Sequence, residues 1–304
     1  MSERILLEAK ESSVWDQEGE LPVAADGSRC IGWSSSQAFP STFYKPKLAL
    51  EDQQPDDGTL TCHGDDFLAE GSTAVLDELG DLLNGAFETK TFDYVGPKNP
   101  GELAYLKRTV GYTDQLPESN TAGFYWCANG KMIEDLIEKK GYKKSSKVPG
   151  TKATGEGSRE IHDAVDVHRA KEASATGGLV LYISSDRPDL QYSAKTAMGN
   201  ASRPTGLMET RLSRQVRYLM EVPKLWYCYE LQATPEEIES HGDSDWASKT
   251  SEQRKSTTGA AIIFGSHLLD TASVSQATPA LSSGEAEFYA LGSATARGMQ
   301  VSFF

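Results

Sequence analysis

The chain has 304 residues, with 44 Asp and Glu against 30 Lys and Arg and a formal net charge of −14. This acidic balance argues against a stand-alone nucleic-acid-binding protein, because affinity for phosphate comes largely from cationic side chains. The length is enough for two domains with a sizeable core, although a hydrophobic content of 38% and 27 glycines indicate many loops.

The four cysteines are widely scattered and form no CxxC pair. This spacing argues against a disulfide framework or a zinc knuckle and is typical of a reducing compartment. No signal peptide and no transmembrane run is visible in the sequence. We therefore expect an intracellular chain, cytoplasmic or nuclear, with no membrane partner.

The first segment to carry a chemical signal is a predicted hairpin over Thr59–Glu70. Before it, residues 1–31 hold no usable motif, and we predict a short helix over Ile5–Ala9 within an otherwise unassigned or disordered segment. In the hairpin, Gly64 precedes two adjacent acids, Asp65 and Asp66, at the turn between two strands. Two carboxylates exposed at such a tip are what a polymerase uses to hold Mg²⁺ against phosphates. An ordinary Gly-Asp turn is the alternative reading.

An amphipathic helix is predicted directly after this hairpin. Ser72 is a suitable N-cap, and an apolar face follows at helical spacing, formed by Val75, Leu79, Leu82, Leu83 and Ala86. Alternation then predicts a strand over Phe87–Tyr94, and two further strands, over Leu103–Arg108 and Phe124–Ala128, are expected from the family resemblance given below. A short helix over Lys131–Lys140 should end at Gly141, with Ile133, Leu136 and Ile137 facing inward.

A basic run that includes Lys143 and Lys144 follows this helix. It could contact a nucleic-acid backbone, and a solvated loop is the plainer alternative. The next segment, Thr151–Thr176, is polar and rich in glycine, so we predict a linker or variable loop there.

Two further helices and an aromatic strand are predicted after this linker. One helix starts with Pro188 in its first turn, and the other covers Leu207–Met220. The second helix places Met208, Leu212, Val216 and Leu219 on one face and Arg211, Arg214 and Arg217 on another. These arginines are candidates for contact with a duplex or form an ordinary solvated stripe. The strand Leu225–Leu231 is predicted to belong to a core rather than to a base-stacking platform.

The C-terminal block has the order strand, strand, strand, helix, with one acid on the first strand and another on the helix. Asp243 lies on the first strand, Thr257–Phe264 and His267–Ser275 form a hairpin through Gly265, and Glu285 lies in the first turn of the helix. Two acids that converge at one end of a sheet are what a two-metal nuclease needs. The alternatives are a turn role for Asp243 and a capping role for Glu285, three residues after Ser282.

This block resembles the RNase H domain of copia-type LTR retrotransposon Pol polyproteins. The resemblance rests on an acid-x-acid-Trp-Ala start at Asp243–Ala247, on the intervening Arg254, Ser256, Thr257 and Gly259, and on the closing run Ala280–Glu287. It implies that Asp243 and Glu285 are catalytic metal ligands. Upstream, Ala38–Tyr44 and the Gly64-Asp65-Asp66 turn resemble the reverse transcriptase palm of the same family. That similarity implies that Asp65 and Asp66 are catalytic Mg²⁺ ligands.

The resemblance covers roughly Gly32–Ala296 and implies an α+β fold. It divides the chain into a partial palm and thumb (32–150), a linker (151–176), a connection region (177–235) and an incomplete RNase H-like domain (236–304). The implied ancestral partners are an RNA/DNA hybrid or a primer-template, together with the remaining parts of the polyprotein. A third palm carboxylate and two further RNase H acids have no counterpart in this sequence. We therefore expect a catalytically incomplete chain that binds Mg²⁺ weakly, with a non-catalytic nucleic-acid-binding or interaction module as the alternative.

Overall fold

The computed structural model describes residues 3–9, 33–35, 41–45, 58–64, 66–86, 89–117, 119–128, 130–150, 163–199, 201–247 and 255–302. Within these residues the chain forms six α-helices and three sheets whose registered strand pairs are all antiparallel. The predicted α+β class is confirmed at that level. The chain divides into two compact units, one of Met1–Trp126 with Cys228–Leu231 and one of Cys127–Tyr227 with Gln232–Phe304.

The first unit contains a sheet of six strands in the order β2-β3-β4-β5-β1-β6. Its strands are β1 (Glu3–Ala9), β2 (Ser34–Ser35), β3 (Thr42–Lys45), β4 (Gly58–His63), β5 (Asp66–Gly71) and β6 (Thr89–Val95). The hairpin of β4 and β5 was predicted and is confirmed. The short helix predicted over Ile5–Ala9 is wrong, because that segment pairs with both β5 and β6 as a strand. Most of the predicted unassigned segment 1–31 lies outside the described residues.

Helix α1 (Thr73–Ala86) packs on this sheet and starts as predicted, with the Val75 amide donating to Ser72 Oγ at 3.4 Å. The predicted apolar face needs one correction. Leu76 is buried, whereas Leu82 is 37% exposed. The core of this unit is formed by Trp33, Phe43, Leu60, Cys62, Phe67, Ala69, Val75, Leu76, Leu79 and Leu83.

A second sheet has the strand order β10-β9-β8-β7. Its strands are β7 (Gly101–Tyr105), β8 (Arg108–Thr113), β9 (Gly123–Cys127) and β10 (Trp226–Glu230). The strand predicted over Leu103–Arg108 is wrong at its end, because Leu106 and Lys107 have positive φ angles of 48° and 65° and turn the chain into β8. The strands predicted near Phe124 and Leu225 are confirmed.

In the second unit, four helices share one core. They are α2 (Gly130–Lys140), α3 (Val167–Ser184), α4 (Pro188–Met198) and α5 (Gly206–Glu221). Three of them were predicted, and the buried face of α5 contains all four predicted residues. Helix α2 ends at Gly141, which has a φ of 59°, a conformation that glycine adopts without steric cost.

The linker predicted over Thr151–Thr176 is wrong in its second half, where α3 begins. Asp166 caps this helix by accepting from the amides of His168 and Arg169 at 3.0 and 3.1 Å. These bonds to the carboxylate lower the pKa of Asp166. The segment between the cap and Gly177 consists of small and polar residues, which resemble a loop in the sequence. In the fold they permit close packing, since a Cβ on Gly177 would lie 2.2 Å from Met198 Sδ.

The C-terminal part of the second unit forms a sheet in the order β11-β12-β13, covered by α6. Its elements are β11 (Ile238–Asp245), β12 (Thr257–Phe264), β13 (His267–Ser275) and α6 (Ser283–Val301). The predicted order of three strands and a helix is confirmed, as are both strands of the β12–β13 hairpin. Within the described part of the chain, β11 is an edge strand. No helix among the described residues has both the length and the apolar character needed to cross a membrane.

Candidate functional site

Helix α6 lies on one face of the C-terminal sheet and contacts alternate residues of β11. A Cβ on Gly298 of α6 would lie 2.0 Å from Ser240 Oγ, and a Cβ on Gly242 would lie 2.9 Å from the Ala290 carbonyl oxygen. Ser244 donates to Glu287 Oε1 at 2.8 Å. Since successive side chains of a strand point to opposite faces, Ser240, Gly242 and Ser244 define the α6 face of β11.

Asp243 therefore points to the other face of the sheet. It is exposed there and lines a cleft against α4, together with Gln191 and Tyr192. The register agrees with this placement. Asp243 lies opposite Gly259 on β12. Thr257, two residues before Gly259 and on the same face of β12, accepts a hydrogen bond from Lys195 of α4.

Glu285 lies at the start of α6 and stabilises the end of that helix. Its amide donates to Ser282 Oγ at 3.1 Å, and its carboxylate accepts from the Leu281 amide at 2.7 Å and from the Tyr289 hydroxyl at 2.8 Å. These contacts lower the pKa of Glu285, with the bond from the Leu281 amide as the largest cause. The capping role, which the sequence left open, is the one that this geometry supports.

The structure does not bring Asp243 and Glu285 together on one face of the sheet, because Asp243 lines the α4 cleft, whereas Glu285 belongs to the helix that covers the other face. On the α6 side, the carboxylate that contacts β11 is Glu287, through Ser244. Glu285 and Glu287 are two residues apart and therefore about 200° apart around α6, so only one of them can face the first strand, and the sequence argument took it to be Glu285. It chose the wrong one to face the first strand, because periodicity alone does not fix how a helix is rotated about its axis on a sheet.

The predicted palm site is only partly described, because Asp65 lies outside the described residues. Asp66 opens β5 opposite His63 and is half-buried. It lies near the buried Tyr105 hydroxyl. Burial, followed by the charges of Cys62 and Asp66, raises the pKa of Tyr105 to about 12. Burial alone raises the pKa of the Cys62 thiol to about 12. Asp66 therefore lies at a partly desolvated position rather than at an exposed tip.

The three arginines of α5 contact the protein around them. Arg211 donates to the Thr196 carbonyl and Arg214 to the Val148 carbonyl, each at 3.3 Å. The Arg217 guanidinium lies 5.0 Å from the centre of the Tyr142 ring. These contacts restrain the side chains locally, although each guanidinium has further N–H groups to offer. Lys143 and Lys144 lie after α2 and are exposed.

Arg187 is a buried cation that the sequence did not single out. Its side chain is 0% exposed and donates to both carboxylate oxygens of Asp189, at 3.0 and 2.7 Å, and to the Val222 carbonyl at 2.9 Å. It also lies 6.0 Å from the centre of the Tyr218 ring. Its position directly before Pro188 gave no signal of burial. In the fold it joins the start of α4 to the end of α5.

The cleft between α4 and the open face of the C-terminal sheet has a volume of about 490 Å³. At one end, the Tyr192 hydroxyl donates to Asp245 Oδ2 at 3.3 Å, and Lys195 Nζ lies 5.1 Å from the Tyr192 ring centre. Burial lowers the pKa of Lys195, and the charge of Asp245 partly offsets this effect. Gln191 closes the opposite side by donating to Thr271 Oγ1 at 3.0 Å.

These residues do not fit the magnesium ions that the resemblance implies. Within the described part of the chain, no group of three or more His, Cys, Asp or Glu side chains is arranged to hold a metal ion. Asp243 and Asp245 share a face of β11, but Asp245 already accepts from Tyr192 and lies near Lys195. Mg²⁺ held by one free carboxylate would take most of its six ligands from water.

Comparison with known proteins identified no relative of this chain. No protein-family model, no curated protein and no solved structure matches the chain.

Proposed function

We propose that the chain derives from a copia-type Pol polyprotein, whose ancestral activities are RNA-directed DNA synthesis and cleavage of the RNA strand in a hybrid, and that this chain carries out neither reaction. The derivation rests on Asp243–Ala247 and Ala280–Glu287 in the sequence. It is supported by the order of strand, strand, strand and helix that joins these two motifs. The ancestral substrate is an RNA/DNA hybrid or a primer-template, and the ancestral cofactor is Mg²⁺.

One observation carries the catalytic part of the proposal: Asp243 and Glu285 lie on opposite sides of the C-terminal sheet. In a two-metal site, the acidic ligands surround ions that lie about 4 Å apart. A carboxylate in the α4 cleft and another that caps α6 are not arranged around one such ion. Glu285 also uses both carboxylate oxygens for bonds to Leu281 and Tyr289.

The nuclease reaction is tested with the purified full chain and a labelled RNA/DNA hybrid, in Mg²⁺ and in Mn²⁺. We expect no metal-dependent cleavage of the RNA strand above the level given by the Asp243→Asn and Glu285→Gln variants. Cleavage by the wild type that both substitutions abolish would contradict the proposal. Cleavage lost in Glu287→Gln and retained in Glu285→Gln would also contradict it, and would identify the α6 face as a working site.

The polymerase reaction is tested by primer extension on a primed template under the same ionic conditions. We expect no extension, because Asp66 is half-buried near Tyr105 and no third palm carboxylate is evident in the sequence. Extension by the wild type that Asp66→Asn abolishes would refute this expectation. The DNA on both sides of the coding region tests the derivation itself, because a Pol origin predicts adjacent frames that encode further Pol segments.

The second candidate function is a non-catalytic nucleic-acid-binding module, and it is favoured by the exposure of Lys143 and Lys144. Binding through phosphate contacts should need no metal and should weaken as salt is added. Replacing both lysines by alanine should lower the salt dependence by about two counterions. The matched control is Lys171→Ala, at an exposed position on α3. Equal losses in the lysine pair and in the control would contradict a specific role for the pair.

A further inference from the structure

The cleft beside α4 has a floor of three rows of residues that run across the C-terminal sheet. The register of β11, β12 and β13 fixes the members of each row, and the hydrogen bonds from α4 to Thr257 and Thr271 show which face they occupy. The proposed ancestral reactions use no residue of this face other than Asp243. The rows are Asp245–Thr257–Ser275, Asp243–Gly259–Ser273 and His241–Ala261–Thr271.

The middle row contains an open depression above Gly259. A Cβ placed on Gly259 would meet no atom closer than the Asp243 carbonyl oxygen, at 3.9 Å. On the opposite face of the sheet the packing is closed, since a Cβ on Gly242 would lie 2.9 Å from the Ala290 carbonyl oxygen. The space above Gly259 is therefore specific to the cleft side, and it lies directly beside Asp243 in the strand register.

Among the residues that the structure describes, Asp243 is a charged side chain of this cleft with no partner. Asp245 accepts from the Tyr192 hydroxyl at 3.3 Å and lies near Lys195. His241 Nε2 lies 3.2 Å from Glu239 Oε2. In contrast, none of the described residues donates a hydrogen bond to the Asp243 carboxylate or forms an ion pair with it.

An unpaired carboxylate beside an apolar depression is the arrangement that recognises an organic cation. A guanidinium or ammonium group can form charge-assisted hydrogen bonds to Asp243. The small residues Gly259 and Ala261 leave room for an aliphatic body. A volume of about 490 Å³ lies within the range of small-molecule pockets. Lys195 bonds Thr257 in the neighbouring row, and its positive charge disfavours a second cationic group there, so the ligand should carry one charge.

We propose that the cleft between α4 and the C-terminal sheet is a binding site for a small organic monocation, an alkyl guanidine or alkyl amine. Asp243 binds the cationic head, and the depression over Gly259 and Ala261 holds the apolar body. This site needs neither a metal ion nor nucleic acid. The proposal therefore stands if both tests above are negative, whereas metal-dependent cleavage that Asp243→Asn abolishes would assign Asp243 to a metal ion.

The test uses the ¹⁵N-labelled full chain and follows the backbone amide of Gly259 by NMR. The probes are n-butylguanidinium, its neutral analogue N-butylurea, and Mg²⁺. We expect n-butylguanidinium to shift the Gly259 amide in a saturable manner and N-butylurea to bind at least tenfold more weakly. Absence of a saturable shift with n-butylguanidinium overturns the proposal. Equal binding of the two organic probes overturns the role of charge.

Variants then test the contact to the cationic head separately from the contact to the apolar body. Asp243→Asn should weaken n-butylguanidinium binding by roughly 10- to 100-fold, the range expected for a lost hydrogen bond to a charged group. The control Glu237→Gln removes the same charge from an exposed position outside the cleft and should leave binding unchanged. Equal losses in both variants would reduce the effect to the overall charge of the chain and would contradict the site.

Filling the depression should abolish binding while the fold is kept. Gly259→Val places a side chain in open space on a central strand, where valine is favourable. Ala261→Leu is a second filling variant in case the first does not fold, which circular dichroism would show. Wild-type affinity in a folded filling variant overturns the placement of the apolar body. Displacement of n-butylguanidinium by Mg²⁺ at similar concentration, insensitive to both filling variants, would identify an inorganic cation site instead and overturn the proposal.

Discussion

Replacing Arg187 by alanine should destabilise the second unit more than any exposed charge change. The guanidinium is fully buried and donates twice to the Asp189 carboxylate and once to the Val222 carbonyl, within 3.0 Å in each case. Alanine removes all three bonds and leaves a mostly buried carboxylate without its cation. Water can replace only part of the missing contacts, because the Asp189 side chain is only 22% exposed.

The expected cost is about 3 kcal/mol. Removing one partner of a fully buried ion pair costs about 3–5 kcal/mol, and the partial exposure of Asp189 favours the lower end of this range. Arg187→Lys keeps the charge but cannot form the two-pronged contact, so it should cost roughly 1–2 kcal/mol. The double variant Arg187→Met with Asp189→Asn should recover part of the loss, because no unpaired charge then remains buried.

The full chain is unfolded in urea, and the circular dichroism signal of the helices is monitored to determine the free energy of unfolding. The matched control is Lys131→Ala, which breaks an ion pair with Asp135 whose two side chains are 77% and 57% exposed. That loss should be small, because water and salt screen an exposed ion pair. A cost for Arg187→Ala below about 1 kcal/mol, or no larger than the control, would refute the reasoning from burial.

Three further predictions follow from packing and from the pKa shifts. Gly242→Ala should destabilise the C-terminal sheet by about 1–3 kcal/mol in urea unfolding, because the new Cβ would lie 2.9 Å from the backbone of α6. The control Gly259→Ala should change the free energy of unfolding by less than about 0.5 kcal/mol, because its Cβ would enter open space. The pKa of Glu285 is lowered from its ordinary value of 4.5, so its contribution is present above that pH and is lost as the pH falls through the folded-state pKa. In the Glu285→Gln variant, the free energy of unfolding should therefore fall less steeply as the pH is lowered. An unchanged dependence on pH in acid would contradict this prediction. Cys62, with its pKa raised to about 12, should resist alkylation at pH 8 until the chain is unfolded in urea, and rapid labelling at Cys62 itself, located by mass spectrometry of its peptide, would refute its burial.

Local chain chemistry was sufficient to predict most of the regular elements. The two strands of the β12–β13 hairpin, the N-cap at Ser72 and the end of α2 at Gly141 depend on neighbours in sequence, through alternation, capping and turn geometry. The exceptions have a common cause. Strand β1 exists because β5 and β6 pair with it on both sides, and the first half of α3 buries the small residues Ala173, Thr176 and Gly177, which give no periodic apolar signal.

The sequence also determined which residues carry charge and which side of a strand or helix they share. It separated Glu285 from Glu287 around α6, because residues two positions apart on a helix are about 200° apart around its axis. What it could not determine was which face of the sheet α6 covers and how the helix is rotated on that face. These choices depend on packing between residues distant in sequence, such as the approach of Gly298 to Ser240 and of Ala290 to Gly242.

The tertiary structure therefore decided the chemistry of the candidate site. Asp243 was predicted as half of a metal site, and packing separated it from Glu285 and left it in a cleft beside α4. The burial of Arg187 and the open space above Gly259 are likewise properties of assembled elements. A sequence specifies local conformations through short-range interactions. The faces that meet are chosen by long-range packing, and the electrostatic partners of each carboxylate follow from that choice.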